Sequence, residues 1–366
     1  MQTELKEMNV RQANMELLRI IAMFIILLYH TILYVFYDYR DEQPIFASLL
    51  TILHIGVPLF ILISGYFGIK PSVRGFFNLY ISIVFYNLIF YVISLYYGRI
   101  TFSIVDFIKL WLPFSIGGGD FWFFKVYIML YLFSPVLNFL KEKWGVGKCL
   151  LFFGVLTFYF GWAAHHPSLI DGKNVVNFSF IYLLGFWIKK NLVEKKNALT
   201  RINYVITYLI ITLIIGVFLY YSNETGRMIL KRLCYWYNSP LLIIMSALFF
   251  MIFTSIDFSL KINLSKCINW IAGSVLSVYL VHENQYFFQD KWYGLLETHY
   301  LSYSGFFFVI ILLSDCLLLY IASVFLDKIR VLLLKPIMPL GNWFQKLFDN
   351  VVCEANHKFK LYFMKD

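Results

Sequence analysis

Residues 15–30 read MELLRIIAMFIILLYH, and three of these side chains can do chemistry: Glu16, Arg19 and His30. Arg19 and His30 are 11 residues apart. In a helix that separation leaves them about 20° apart around the axis and roughly 16 Å apart along it. Glu16 stands one turn before Arg19 and can pair with it on the same face. A guanidinium holds phosphates through paired charge-assisted hydrogen bonds. A neutral imidazole can take a proton from a hydroxyl or carry an acyl group. Each residue also has a plainer use. Arg19 can serve topology near the inner interface, and an intramembrane histidine can simply bond a neighbouring helix.

Depth argues for more than the plain use. His30 lies some 13 residues into its apolar run, or roughly 20 Å. His54 in LTILHIGVPLF and His282 in SVYLVHEN fall near the same depth on two other apolar runs, and Glu283 follows His282. A layer of histidines suits a water-accessible cavity and proton chemistry near neutral pH. We expect His30 to converge with His282 and Glu283, and His54 to stand apart. Asp315 should lie somewhat deeper. On the opposite side, GYFGIKPSVRGFF places Lys70 and Arg74 in a tight turn, where they can join Arg19 around phosphates or serve topology alone. No H-E-x-x-H, G-x-S-x-G or G-x-x-x-x-G-K-[ST] pattern occurs, so no metal site is expected.

The elements that must position these residues are membrane helices. Of the 366 residues 60% are hydrophobic and 14% charged, and the mean hydropathy is +0.71. A soluble domain carries roughly 25% charged residues and has too little interior for this much Phe, Tyr, Ile and Leu. Ten spans are predicted, at about 17–37, 47–68, 76–97, 122–140, 149–164, 176–188, 202–221, 239–256, 268–287 and 305–326. The first is read as a retained helix and not a cleaved signal. The net charge of +10 is distributed as topology requires. With the N-terminus inside, the inner segments carry 22 of the 31 Lys and Arg, the outer segments eight, and Lys125 lies within a span. The reading is therefore an all-α integral membrane bundle of about ten transmembrane helices, with cytoplasmic N- and C-termini, in the cell (plasma) membrane. Its partner is the lipid bilayer and not nucleic acid.

Two outer segments exceed what a hairpin needs. Residues 98–121 contain Trp111, Pro113, Gly117–Gly119 and Asp120, and residues 222–238 contain Arg227, Arg232, Tyr235, Trp236 and Tyr237. Aromatic rings there serve as interfacial anchors, and beside charges they also suit sugars. Residues 1–326 form the membrane domain, and 327–366 form a basic tail expected on the inner leaflet.

Together these residues resemble the bacterial integral-membrane acyltransferase family 3, whose members O-acylate cell-surface carbohydrates. The family's opening signature is matched by Glu16, Leu17-Leu18-Arg19 and His30. VPLFILISGYFG is similar to its Phe-rich second span ending in Ser64, Gly65 and Tyr66. DFWFFKVYIMLYLFSPVLN resembles its fourth span, and SVYLVHE its Tyr-Leu-x-His. The resemblance covers about residues 11–326. Many members carry two arginines three apart after the second span; here Arg74 stands there with Lys70 before it. The resemblance implies transfer of an acyl group, acetyl first among them, from acetyl-CoA as donor substrate to a hydroxyl of an extracytoplasmic cell-surface or lipid-linked glycan. It implies Arg19, Arg74 and Lys70 on the donor phosphates. His30 would be general base or acyl carrier, with Glu16 orienting Arg19, and His282 and Glu283 tuning His30. The rival reading is a transporter or flippase for a lipid-linked glycan, whose polar groups would relay protons. A glycan polymerase or glycosyltransferase is a further rival, but the catalytic carboxylates or large loop domain it would need are not evident. Against the transporter, the sequence has no repeated halves with paired broken helices.

Overall fold

A computed structural model of the chain describes residues 2–35, 44–112, 121–192, 198–256, 262–286, 288–303 and 305–363. Gly117–Gly119 and Asp120 lie outside the described residues. Those described form helices and no strand. In chain order they are α1 (Gln2–Val35), α2 (Pro44–Leu53), α3 (Gly56–Phe67), α4 (Val73–Tyr96), α5 (Ile104–Leu110) and α6 (Trp122–Lys143). Next come α7 (Val146–Gly154), which continues as a π-helical stretch over Val155–Ala163, and α8 (Val175–Asn191), α9 (Ala198–Thr225), α10 (Met228–Tyr235) and α11 (Pro240–Ser255). The last five are α12 (Ile262–Ala272), α13 (Val275–His282), α14 (Phe288–Ser302), α15 (Gly305–Leu334) and α16 (Met338–Phe363).

Among the described residues, nine helical segments are long and apolar enough to cross a bilayer. They correspond to nine of the ten expected spans. The remaining one, α8, has 17 residues and crosses as well, because its ends meet opposite ends of the bundle. At its start Asn177 donates to the Tyr237 carbonyl at 3.1 Å; near its end Lys189 sits 4.9 Å over the Tyr66 ring. Ten crossings bring the start of α1 and the end of α15 to one face. There Asn14 donates to Ile256 O, Lys328 to Trp270 O, and the Arg74 amide to Gln345 of α16. We call this the basic face and the opposite one the histidine face.

Hydrocarbon offers no solvent for loose backbone groups, so a helix break calls for a partner nearby. Pro135 leaves the Tyr131 carbonyl without its helical donor, and the Ser134 hydroxyl donates to it at 2.8 Å. Pro58 does the same to His54, and α2 ends there. Close approach is supplied by small residues. A methyl group on Gly65 would collide with the Tyr182 carbonyl of α8, and one on Gly185 with the Leu62 carbonyl of α3. This reciprocal contact is what the glycine of Ser64-Gly65-Tyr66 does.

Boundaries moved most at three spans. The eighth begins at Arg232, seven residues earlier than expected, the ninth runs Asn263–His282, five residues earlier at both ends, and the tenth runs on to Leu334. The tail helix α16 packs through Phe344 on Phe77 of α4.

Candidate active site

His30, near the end of α1, and His282, the last residue of α13, meet in the interior at the histidine face. His30 Nδ1 lies 2.9 Å from His282 Nε2 and 3.2 Å from Glu283 Oε1. On its other side, His282 Nδ1 lies 2.6 Å from the Val278 carbonyl one turn back. A carbonyl only accepts, so His282 carries its proton on Nδ1, and its Nε2 is a lone pair. His30 Nδ1 must then be the donor, its N–H given to His282 Nε2, with the Glu283 carboxylate beside it as a charge. That leaves His30 Nε2 as a lone pair. The register of α13 thus fixes the tautomer of a histidine on α1. Tyr34 adds a longer contact, 3.5 Å from its hydroxyl to Glu283 Oε2.

His30 opens onto a cavity of about 610 Å³. Its lining includes Tyr29, His54, Trp122, Lys173, Tyr237 and Glu283. His54, expected apart, is on this wall: Tyr29 packs edge-on against both His30 and His54, and Tyr237 stacks on His54 at 4.1 Å. Neither ring nitrogen of His54 has a partner among the described residues, although the side chain is buried. Trp122 meets Tyr237 at 5.1 Å and carries Lys173 Nζ on its face at 5.2 Å.

Lys173 is held by an unusual piece of backbone. Asp171 has φ 60°, in the left-handed region. Its carbonyl accepts from Tyr237 N at 2.8 Å, and its carboxylate accepts from Lys173 N at 2.9 Å. These bonds hold Asp171 in that conformation. Asp171 and Lys173 were missed as site residues, since in sequence they are one acid and one base in a short outer loop. Trp122 and Tyr237 were visible only as aromatics. Asp315 is paired with His299 at 2.8 Å and does not line the cavity.

At the basic face Arg19 binds both oxygens of Glu16, at 2.8 and 2.6 Å. The pair lines a recess of about 440 Å³ with Phe67, Asn269 and Gly273. Lys70 and Arg74 are not among its lining residues: both are exposed, and Arg74 stands at the start of α4 against α16. The structure therefore brings together Glu16 with Arg19, and His30 with His282 and Glu283, but does not draw Lys70 and Arg74 to Arg19.

His30, His282 and Glu283 each offer one ligand atom, all within 4.8 Å of one another. A zinc ion could use such a set, but only by replacing the His30–His282 hydrogen bond.

No curated protein and no solved structure matches this chain. A family model does: the acyltransferase domain of acyltransferase family 3 matches residues 12–323. With that match over most of its length, and with a multi-pass helical bundle beneath it, the chain belongs to the membrane acyltransferases of this family.

Proposed function

We propose that this acyltransferase moves an acetyl group from cytoplasmic acetyl-CoA to a hydroxyl of an extracytoplasmic glycan at the cell membrane. The observation that carries the reading is the His30 lone pair. Nδ1 is committed to His282, so Nε2 is the atom available to a substrate in the cavity.

His30 Nε2 takes the proton of the acceptor hydroxyl as its oxygen attacks the thioester carbonyl carbon. The C–O bond forms, the C–S bond breaks, and the proton passes from His30 to the departing CoA sulfur. Glu283, 3.2 Å from Nδ1, stabilises the imidazolium in between. In this reading Arg19, oriented by Glu16, faces the donor phosphates, and His282 fixes the tautomer of His30. Trp122 and Tyr237 offer ring faces and Lys173 a charge, a lining suited to a hydroxylated ring. The excess of Lys and Arg near the basic face supports its cytoplasmic orientation. Along α1 the two depths are roughly 16 Å apart, a gap for the extended arm of the donor to cross.

The test is His30→Gln, which keeps volume and a hydrogen-bonding end but cannot take the proton. With labelled acetyl-CoA and purified protein, transfer to glycan should fall by about 10²–10⁴-fold while CoA affinity stays unchanged. An acyl-imidazole trapped on wild-type protein without acceptor would replace direct transfer by a two-step route. Near-normal transfer by the variant would sink the assignment and favour a transporter.

A further inference from the structure

Asp327 and Arg330, near the end of α15, line a second recess on the basic face. It has a volume of about 310 Å³ and lies where α12 breaks into α13. Gly273 lines both this recess and the one at Arg19, so the two adjoin. The break puts the start of α13 on the wall, and the first amides of a helix have no acceptor within the helix. Ser274 stands there with 1% of its surface exposed, and its Oγ has no partner among the described residues. A buried hydroxyl left unpaired costs stability unless something binds it.

Arg330 lines the same recess. It donates through Nε to Asp327 Oδ1 at 2.7 Å, and Tyr86 OH donates to the same oxygen at 3.2 Å. Both bonds fall on one Asp327 oxygen, while the two terminal nitrogens of Arg330 make no hydrogen bond among the described residues. Lys328 Nζ adds a charge about 4.0 Å from where a Gly273 side chain would begin. Lys328 itself donates to Trp270 O, so the charged lining of the recess is Arg330 with Asp327. The recess therefore offers a free guanidinium edge, a buried unspent hydroxyl and a helix N-terminus. That donor set is the one a phosphate group requires.

We propose that the recess at the α12–α13 break is a phosphate site, built from Arg330, Ser274 and the first amides of α13. The phosphate belongs either to the acyl donor, which rests on the reading of the basic face as the donor side, or to a phospholipid headgroup. In the first case Arg19 and Arg330 hold one anionic donor from two sides of Gly273.

Two variants test it on the full-length protein. Ser274→Ala removes only an unpartnered hydroxyl, so it keeps the fold. The double variant Asp327→Asn/Arg330→Gln removes the guanidinium without leaving its carboxylate alone. Equilibrium CoA binding and retention of phosphatidylglycerol in native mass spectrometry are then compared with wild type. A donor phosphate predicts CoA binding weakened about three- to ten-fold by Ser274→Ala and about ten- to a hundred-fold by the double variant, with lipid retention unchanged. A headgroup phosphate predicts the converse, loss of retained lipid with CoA affinity intact. Folded variants that bind both ligands as wild type does would overturn the proposal. Wild-type protein that binds no CoA would remove the donor reading, and lipid retention would then decide the recess by itself.

Discussion

The two ends of this bundle handle their charged groups in opposite ways. At the histidine face, ionisable side chains from α1 and α13 are buried within hydrogen-bond distance of one another, and a cavity opens beside them. At the basic face the charges are paired within a helical turn and spread over adjoining recesses; Arg19 and Glu16 are partly exposed, while Asp327 is buried beside Arg330. Burial explains the difference. Deep in the bundle each polar group needs a protein partner, so its geometry is fixed. Near the interface water serves as partner, and cations are placed there by topology as much as by ligand. A cluster of like residues in sequence is thus a weaker guide at the basic face than at the histidine face.

Substitutions at four residues sharpen that contrast. The largest effect is expected at Glu283, whose carboxylate meets His30 Nδ1. Glu283→Gln should lower kcat about ten- to a hundred-fold, because the neutral amide no longer stabilises the charge that His30 acquires, and leave CoA affinity unchanged. Equal loss of CoA binding would mean that the two ends are not separate. Arg19→Ala comes next, with CoA affinity down about ten-fold and the KM for acceptor unmoved in steady-state assays. Arg19→Lys should recover only part of it, because the planar fork is gone. The smallest effect is expected at Lys70 and Arg74, which stand exposed outside the recess of Arg19. Alanine at either should shift CoA affinity by less than about three-fold, as surface charges usually do. A ten-fold loss at Arg74→Ala would bring it into the donor site and show that the recess at Arg19 is only part of it.

Much of this was legible in the residues. Hydropathy and charge asymmetry yielded a helical membrane bundle, because a bilayer admits few alternatives for 20-residue apolar runs. Even the short run at 176–188 was visible, and it became α8. Helical periodicity placed Glu16 beside Arg19 and His30 on their face, since local spacing in a helix is fixed by its geometry.

Lateral contacts were decided only by tertiary structure. His30 and His282 are 252 positions apart, and nothing local relates them. Their meeting depends on how α1 and α13 rotate against each other, and that is set by packing across the whole bundle. The same holds for His54, which depth alone placed near His30 and which packing put on the same wall. Asp171 and Lys173 owe their place to one left-handed residue and its bond to Tyr237, a conformation that composition does not signal. Arg330 looked like one more inner-leaflet cation until the break between α12 and α13 was set beside it. Sequence determined which groups lie at which depth, because depth follows from position along a spanning helix. Structure decided which of them touch, because neighbours in a bundle are chosen by side-chain shape across helices distant in the chain.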